Sequence, residues 1–229
     1  MNLDLHCHSV SSDDSRATVE QYLKWIVSLR KKGYIVDGIV LTEHRKFDID
    51  LDYTELSDKY DVLVLKGSEL DTRHGHFLVY GVTKQMLNKI DFGNVKMDSI
   101  ELMKIAKESG AIAFPAHPGR FGIGFCEYSD SDLDFAQVSI VEHLNGSYRS
   151  GELERTEKLI SDKGYSGTGG SDAHFVSAIA TCLTEFSTII HNEQDLVSAL
   201  NQKTFRAITL EETRKPDNEN WGKYVRRLQ

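Results

Sequence analysis

The chain has 229 residues, 40% hydrophobic and 27% charged, a composition that can bury one large α/β core. No run of about 18 apolar residues occurs and the first residues lack a basic region followed by an apolar stretch, so neither a membrane span nor a secretory signal is expected, and the cytoplasm is the expected location. The formal charge of −8 argues against a broad surface for long nucleic acid, and three widely spaced cysteines (Cys7, Cys126, Cys182) argue against a disulfide framework or a CxxC motif.

Leu3 to His8 reads as the first strand, with Asp4, His6 and His8 on one face because side chains alternate with period two. After a polar loop, Thr18 and Gln21 have capping-box spacing, Val19, Tyr22, Leu23, Ile26 and Leu29 form an apolar stripe, and Gly33 supplies a stop, which predicts a helix. Strands are predicted over 35–42, 61–66 and 77–80. Asp98 and Glu101 repeat the cap spacing before a helix ending near Gly110, and a strand follows over 111–115. Further on, 138–144 is strand-like, 152–163 is helical up to Gly164, and 165–170 is a Gly-rich strand running into Ser171-Asp172-Ala173-His174. Strands at 186–190 and 205–209 flank a helix over 193–202. Strands alternating with helices, about seven in one domain, predict a parallel sheet closed or nearly closed into a barrel over residues 1–210. Residues 211–229 form a charged C-terminal extension with Pro216, in which Trp221 and Tyr224 are available to dock it or to serve a partner.

His6 and His8, Glu43 and His44, Glu69, His117, Glu142, and Asp172 with His174 each stand at the carboxyl end of a predicted strand, the end of an α/β barrel where active sites form. Imidazoles mixed with carboxylates suit zinc, manganese or iron. The set exceeds the three or four protein ligands that one open metal site uses, so more than one ion is expected.

Five ordered motifs resemble the PHP (polymerase and histidinol phosphatase) family over roughly residues 1–185: His6-x-His8 with Ser12-Asp13, Thr42-Glu43-His44, Gly67-Ser68-Glu69, Ala116-His117-Pro118-Gly119-Arg120, and Gly170-Ser171-Asp172-Ala173-His174. The resemblance implies a distorted (β/α)7 TIM-like barrel, two or three divalent metal ions at its mouth, and phosphoesterase activity. Carried over by position, His6, His8, Glu69 and Asp172 hold one metal, Glu69 bridges to a second held by His76 and His117, and Asp13, His44 and His174 hold a third. Glu43 stands where the family commonly has Asp, which lengthens its contact to His44 or its neighbours by one methylene. Asp14 replaces the usual Gly after the Ser-Asp pair, so Asp13 and Asp14 are alternatives, with Asp13 favoured by its offset from the His-x-His pair. His74 is the alternative to His76, two residues away on the same predicted strand face.

The expected chemistry follows from such a set. Two divalent ions about 3.5–4 Å apart across a bridging carboxylate share a water and lower its pKa from about 16 towards 7, giving a bridging hydroxide that attacks phosphorus in line. Arg120 contacts the phosphate, and Asp172, His174 or a metal-bound water protonates the leaving group. Asn145 and Arg149 are candidate substrate contacts, against the plainer readings of a turn Asn and a solvated Arg. Phe121, Phe125 and Tyr128 either wall a pocket or pack on the body, His143 is structural, and His191 is solvated. The favoured function is hydrolysis of a small phosphate monoester or diester, a phosphorylated metabolite or nucleotide. The alternatives are a nuclease acting on nucleic-acid ends and a non-catalytic scaffold.

Overall fold

The computed structural model describes residues 1–131 and 133–215; Trp221, Tyr224 and the rest of the extension past 215 lie outside the described residues. Helix α1 (Val19–Lys31) forms as its sequence requires: Thr18 and Gln21 close a capping box, and all five stripe residues are buried. Its buried face packs on strands β1 (Asn2–Cys7) and β2 (Gly38–His44), which pair in parallel and continue in parallel to β3 (Leu63–Thr72). A polar one, α2 (Thr54–Tyr60), precedes β3.

At β3 the expectation of an all-parallel barrel fails. Strand β4 (Gly75–Tyr80) runs antiparallel to β3, because only Arg73 and His74 separate the two strands and a parallel crossover needs about a dozen residues. Gly75, at φ +100°, closes this hairpin, and Thr72 Oγ1 donates to its carbonyl (2.6 Å). After α3 (Lys84–Lys89) and α4 (Ser99–Glu108, capped by Asp98), β5 (Ile112–Pro115) is again antiparallel, on β4. Strands β6 (Ile140–Asn145) and β7 (Ser166–Gly170), linked by α5 (Glu152–Lys163), form a separate parallel pair. The chain then returns through β8 (Cys182–Phe186), α6 (Glu193–Gln202) and β9 (Phe205–Thr209) to the far side of β1. The result is a mixed, curled seven-stranded sheet in the order β5-β4-β3-β2-β1-β8-β9, plus the β6-β7 pair, rather than a ring of parallel strands.

The strand expected at 186–190 also shifts. It lies at 182–186 because the Ser187 N–H and hydroxyl both donate to Thr204 O (3.1 and 3.2 Å), ending the ladder with β9 at Phe205. Among the described residues no helix is long and apolar enough to cross a membrane. Residues Glu211 to Lys215, the start of the extension, lie against the segment after α1: Thr213 Oγ1 accepts from Ile35 N–H (3.1 Å) and Lys215 N–H donates to Gly33 O (3.2 Å).

Two features draw β7 onto β1. A Cβ on Gly169 would meet Leu183 O at 2.2 Å, and one on Gly170 would meet His6 Cβ at 2.4 Å, so only glycine lets these backbones approach. Fully buried Asp4 then accepts from the backbone N–H groups of His6 (3.2 Å), Ser171 (2.8 Å) and Ala180 (2.8 Å), tying β1 to the segments after β7 and before β8. Burial pushes the Asp4 carboxyl up to about 6, and those donors hold it from going higher. Replacing Asp4 by Ala strands three buried N–H groups at about 1–3 kcal/mol each, so a stability loss of about 3 kcal/mol or more is expected by urea denaturation. A loss below about 1 kcal/mol would contradict the role of this knot.

Candidate metal centre

His6 is the next-to-last residue of β1 and His8 follows the strand; His44 ends β2; Glu69 lies in the last half of β3; His117 comes two residues after β5 and Asp172 two residues after β7. His76 comes from the amino end of β4, which the antiparallel hairpin brings to the same mouth. Their donor atoms converge in three overlapping groups: His6, His8, Glu69 and Asp172; Glu69, His76 and His117; and His8, His44 and His174.

Glu69 is the shared member. Its Oε1 lies 3.0 Å from His76 Nδ1 and 2.8 Å from His117 Nε2. Its Oε2 lies 3.3 Å from His6 Nε2, 3.4 Å from His8 Nε2 and 3.0 Å from His44 Nδ1, yet is buried with no hydrogen-bond partner. The nitrogens His6 Nε2 and His8 Nε2 face each other at 3.1 Å, and Asp172 Oδ1 is 3.5 and 3.4 Å from them. An unpartnered buried carboxylate oxygen amid imidazole nitrogens is the donor set that a divalent cation satisfies, so the residues fit metal.

Behind these atoms a further layer fixes the rings. Glu142, fully buried, takes His6 Nδ1 at 2.9 Å on Oε1 and accepts from His117 N–H (2.6 Å) and Asn145 Nδ2 (2.9 Å) on Oε2. His174 Nδ1 is held 2.9 Å from Asp172 O. His117 (φ +25°) and Asp172 (φ +53°) adopt left-handed backbone conformations that non-glycine residues rarely take, strain of the kind found where side chains must be aimed.

Burial disfavours a charged His6, but Glu142, Asp172 and Glu69 outweigh it and raise its pKa well above the usual range. Burial likewise opposes charge on Glu69, outweighed by His6, His117 and His44, and on Asp172, outweighed by His6 and His8; both carboxyls lie well below their usual range. His8 is different: burial dominates and lowers it to about 4, so it stays neutral and ready to ligate.

Several expected residues are placed otherwise. Asp13 is 80% exposed on its side chain and 3.7 Å from Arg45, whereas Asp14 Oδ2 lies 3.2 Å from both His44 Nε2 and His174 Nε2. Asp14 therefore takes the place expected of Asp13: the turn after Ser12 aims the second acid inward. His74 is in the β3-β4 turn, its Nδ1 2.8 Å from Ser99 Oγ, which leaves His76 facing Glu69. Glu43 reaches His44 only through Ser12, whose hydroxyl donates to Glu43 (2.5 Å) and accepts from His44 N–H (3.1 Å). Arg120 is drawn into the mouth, donating to Asp172 Oδ2 (2.8 Å), to Asn145 Oδ1 (3.5 Å) and to Ser147. Arg149 is exposed outside this network, its backbone N–H held by Glu152 (2.8 Å). Phe125 is fully buried and Tyr128 packs against His74, so of the three loop aromatics only Phe121 is exposed. His143 is half-buried near Glu157, and His191 is exposed beside Asp195.

Residues 151–205, which include Asp172 and His174, match the family model described as PHP-associated. Similar solved structures include a two-domain protein containing a predicted PHP-like metal-dependent phosphoesterase from Bacteroides vulgatus, with TM-score 0.60 and 21% identity; the alignment covers 92% of this chain and 65% of that one. By its fold and this segment, the chain is similar to PHP-family proteins. The fold is shared with PsfC from Pseudomonas syringae (TM-score 0.63, 17% identity, 93% and 92% of the two chains). It is also shared with a lesion-specific endonuclease from Pyrococcus furiosus (TM-score 0.58, 13% identity, 90% and 57%). Curated proteins give no match. The chain spans 65% of the length of the Bacteroides protein.

Because carboxylates hold a proton on His6 when no metal is bound, metal uptake at neutral pH is expected to release protons. Calorimetry in two buffers of different ionisation enthalpy measures this, and equal heats in both would contradict it. Asp14→Asn is expected to weaken uptake at the His8, His44, His174 group while Asp13→Asn leaves it unchanged; the reverse result would restore Asp13.

Proposed function

We propose that the chain is a metal-dependent phosphoesterase that hydrolyses a small phosphate monoester or diester, such as a phosphorylated metabolite or nucleotide. The observation that carries this is the Glu69 carboxylate shared between two donor groups, with the Arg120 guanidinium at their edge on Asp172. The two sheets are read as a distorted (β/α)7 barrel whose mouth is this site. His6, His8 and Asp172 on one side of Glu69, and His76 and His117 on the other, would hold two ions; Asp14, His44 and His174 would hold a third when present. Zinc, manganese and iron all suit such nitrogen and oxygen donors. Bound there, the ions supply Lewis-acid polarisation of a phosphoryl oxygen and an acidified water.

The chain's own groups do the rest. Arg120, fixed by Asp172, Asn145 and Ser147, orients the phosphate through its planar fork of donors. Asp172 is held far below the usual carboxyl range, so it carries no proton for the leaving group. In the two-ion form His174 takes that role through Nε2, its Nδ1 being engaged by Asp172 O. Glu142 and Asn145 keep His6 and the backbone of His117 in place while this occurs.

The fold shared with a lesion-specific endonuclease favours one second reading, a nuclease. The net charge of −8 supports the smaller substrate. With metal added back, wild type is expected to hydrolyse an aryl phosphate and to leave a labelled duplex oligonucleotide uncut; the opposite pattern would favour the nuclease. Asp172→Asn and His117→Ala are expected to abolish that hydrolysis without unfolding the chain, and Arg120→Ala to lower kcat/KM by about a hundredfold or more. Full activity in any of the three would remove that residue from the site.

A further inference from the structure

Among the described residues, six non-glycine residues have left-handed backbone conformations: Arg45, Asp61, His117, Asp172, Ala180 and Lys203. Asp61 and Lys203 cap helices, and His117 and Asp172 carry donor atoms of the metal centre. Arg45, at φ +53°, directly follows His44 and does neither. Such a conformation costs an arginine roughly 1–2 kcal/mol, so its side chain must be placed to some purpose.

Its backbone N–H still donates to Glu69 O (2.8 Å), so the turn occurs without giving up the last bond between β2 and β3. The turn carries Arg45 Nη1 to Asp71 Oδ2 (3.1 Å). Asp71 stands opposite His76 in the antiparallel β3-β4 register, and its other oxygen, Oδ1, lies 3.5 Å from His76 Nε2. The far nitrogen of the same ring, Nδ1, faces Glu69 Oε1 at 3.0 Å. His76 is thus held between two carboxylates, as His6 is held between Glu142 and Glu69. The two arrangements differ in what steadies the outer acid. Glu142 is fully buried and fixed by His117 N–H and Asn145, whereas Asp71 is partly exposed and has Arg45.

We propose that Arg45 and Asp71 are a positioning pair for His76: Asp71 holds the ring at Nε2 so that Nδ1, which donates to Glu69 Oε1 while no ion is bound, is presented to the ion that Glu69, His76 and His117 would hold, and the pair so sets that ion's affinity. The proposal rests on the metal-centre reading above. Arg45 is not a phosphate contact here, because Asp71 and Asp13 (3.7 Å) already neutralise its charge. Orientation by an outer carboxylate is worth about 10–100-fold in metal affinity.

Two readouts test the pair in the full chain. Long-range nitrogen–proton correlation spectra of the zinc-loaded protein, in which Nδ1 is a ligand and the ring proton lies on Nε2, report the His76 tautomer. Zinc titration by calorimetry reports the affinity of each ion. Wild type is expected to show His76 with its proton on Nε2. Arg45→Gln and Asp71→Asn are expected to mix the tautomers and weaken one zinc site about 10–100-fold, with the His6 signal unmoved and Arg45→Lys close to wild type. An unchanged His76 tautomer and unchanged zinc affinity in both folded variants would overturn the proposal. No zinc uptake by wild type would remove the metal-centre reading and the proposal with it, whereas zinc uptake that both variants leave unchanged would remove the proposal alone.

Discussion

A carboxylate buried to 1% exposure organises this molecule. Removing an ionised group from water costs several kcal/mol, repaid only by opposite charge and good geometry. Glu69 meets that demand with imidazoles of His6, His8, His44, His76 and His117, drawn from β1, β2, β4 and the turn after β5. The polar interior is therefore also the point at which distant parts of the chain must agree in position. Even so, one Glu69 oxygen has no hydrogen bond, and that incomplete satisfaction is what a cation can use.

The remaining structure can be understood as what brings these groups within reach. Glycines at 169 and 170 remove the side chains that would hold β7 away from β8 and β1. Asp4 then locks the crossing with three backbone donors, one of them from Ser171, the neighbour of Asp172. The two-residue turn between β3 and β4 returns the chain in time for His76 to share the mouth with Glu69, at the expense of parallel order. Backbone strain at His117 and Asp172 is tolerated because each is anchored by a backbone bond: His117 N–H to Glu142 (2.6 Å), and Asp172 N–H to His6 O (2.6 Å).

What was legible in the sequence was local or motif-borne. The cap and stripe of α1, the Asp98 cap of α4 and the α6 span depend on residues within a few positions of one another, and the structure keeps them. The His-x-His pair and the later motifs marked the ends of segments that do meet. Helix α2 buries no residue, so it has no apolar period to read. Strand direction after β3 depended on counting the turn, not on hydrophobic pattern, which is similar in parallel and antiparallel strands. Asp13 was favoured in sequence, yet Asp14 stands beside His44 and His174, because offset along a loop does not fix which way a side chain turns. Asp71 and Ser147 act through groups 5 and 25 residues away, at His76 and Asp172, contacts visible only once the strands are in register.

The central claim is that Glu69 joins two metal-binding groups. Anomalous diffraction from crystals grown with manganese or zinc addresses it directly. The account predicts two peaks that share the Glu69 carboxylate, one beside His6, His8 and Asp172 and the other beside His76 and His117. Metal bound elsewhere, with Glu69 touching none of it, would contradict the account.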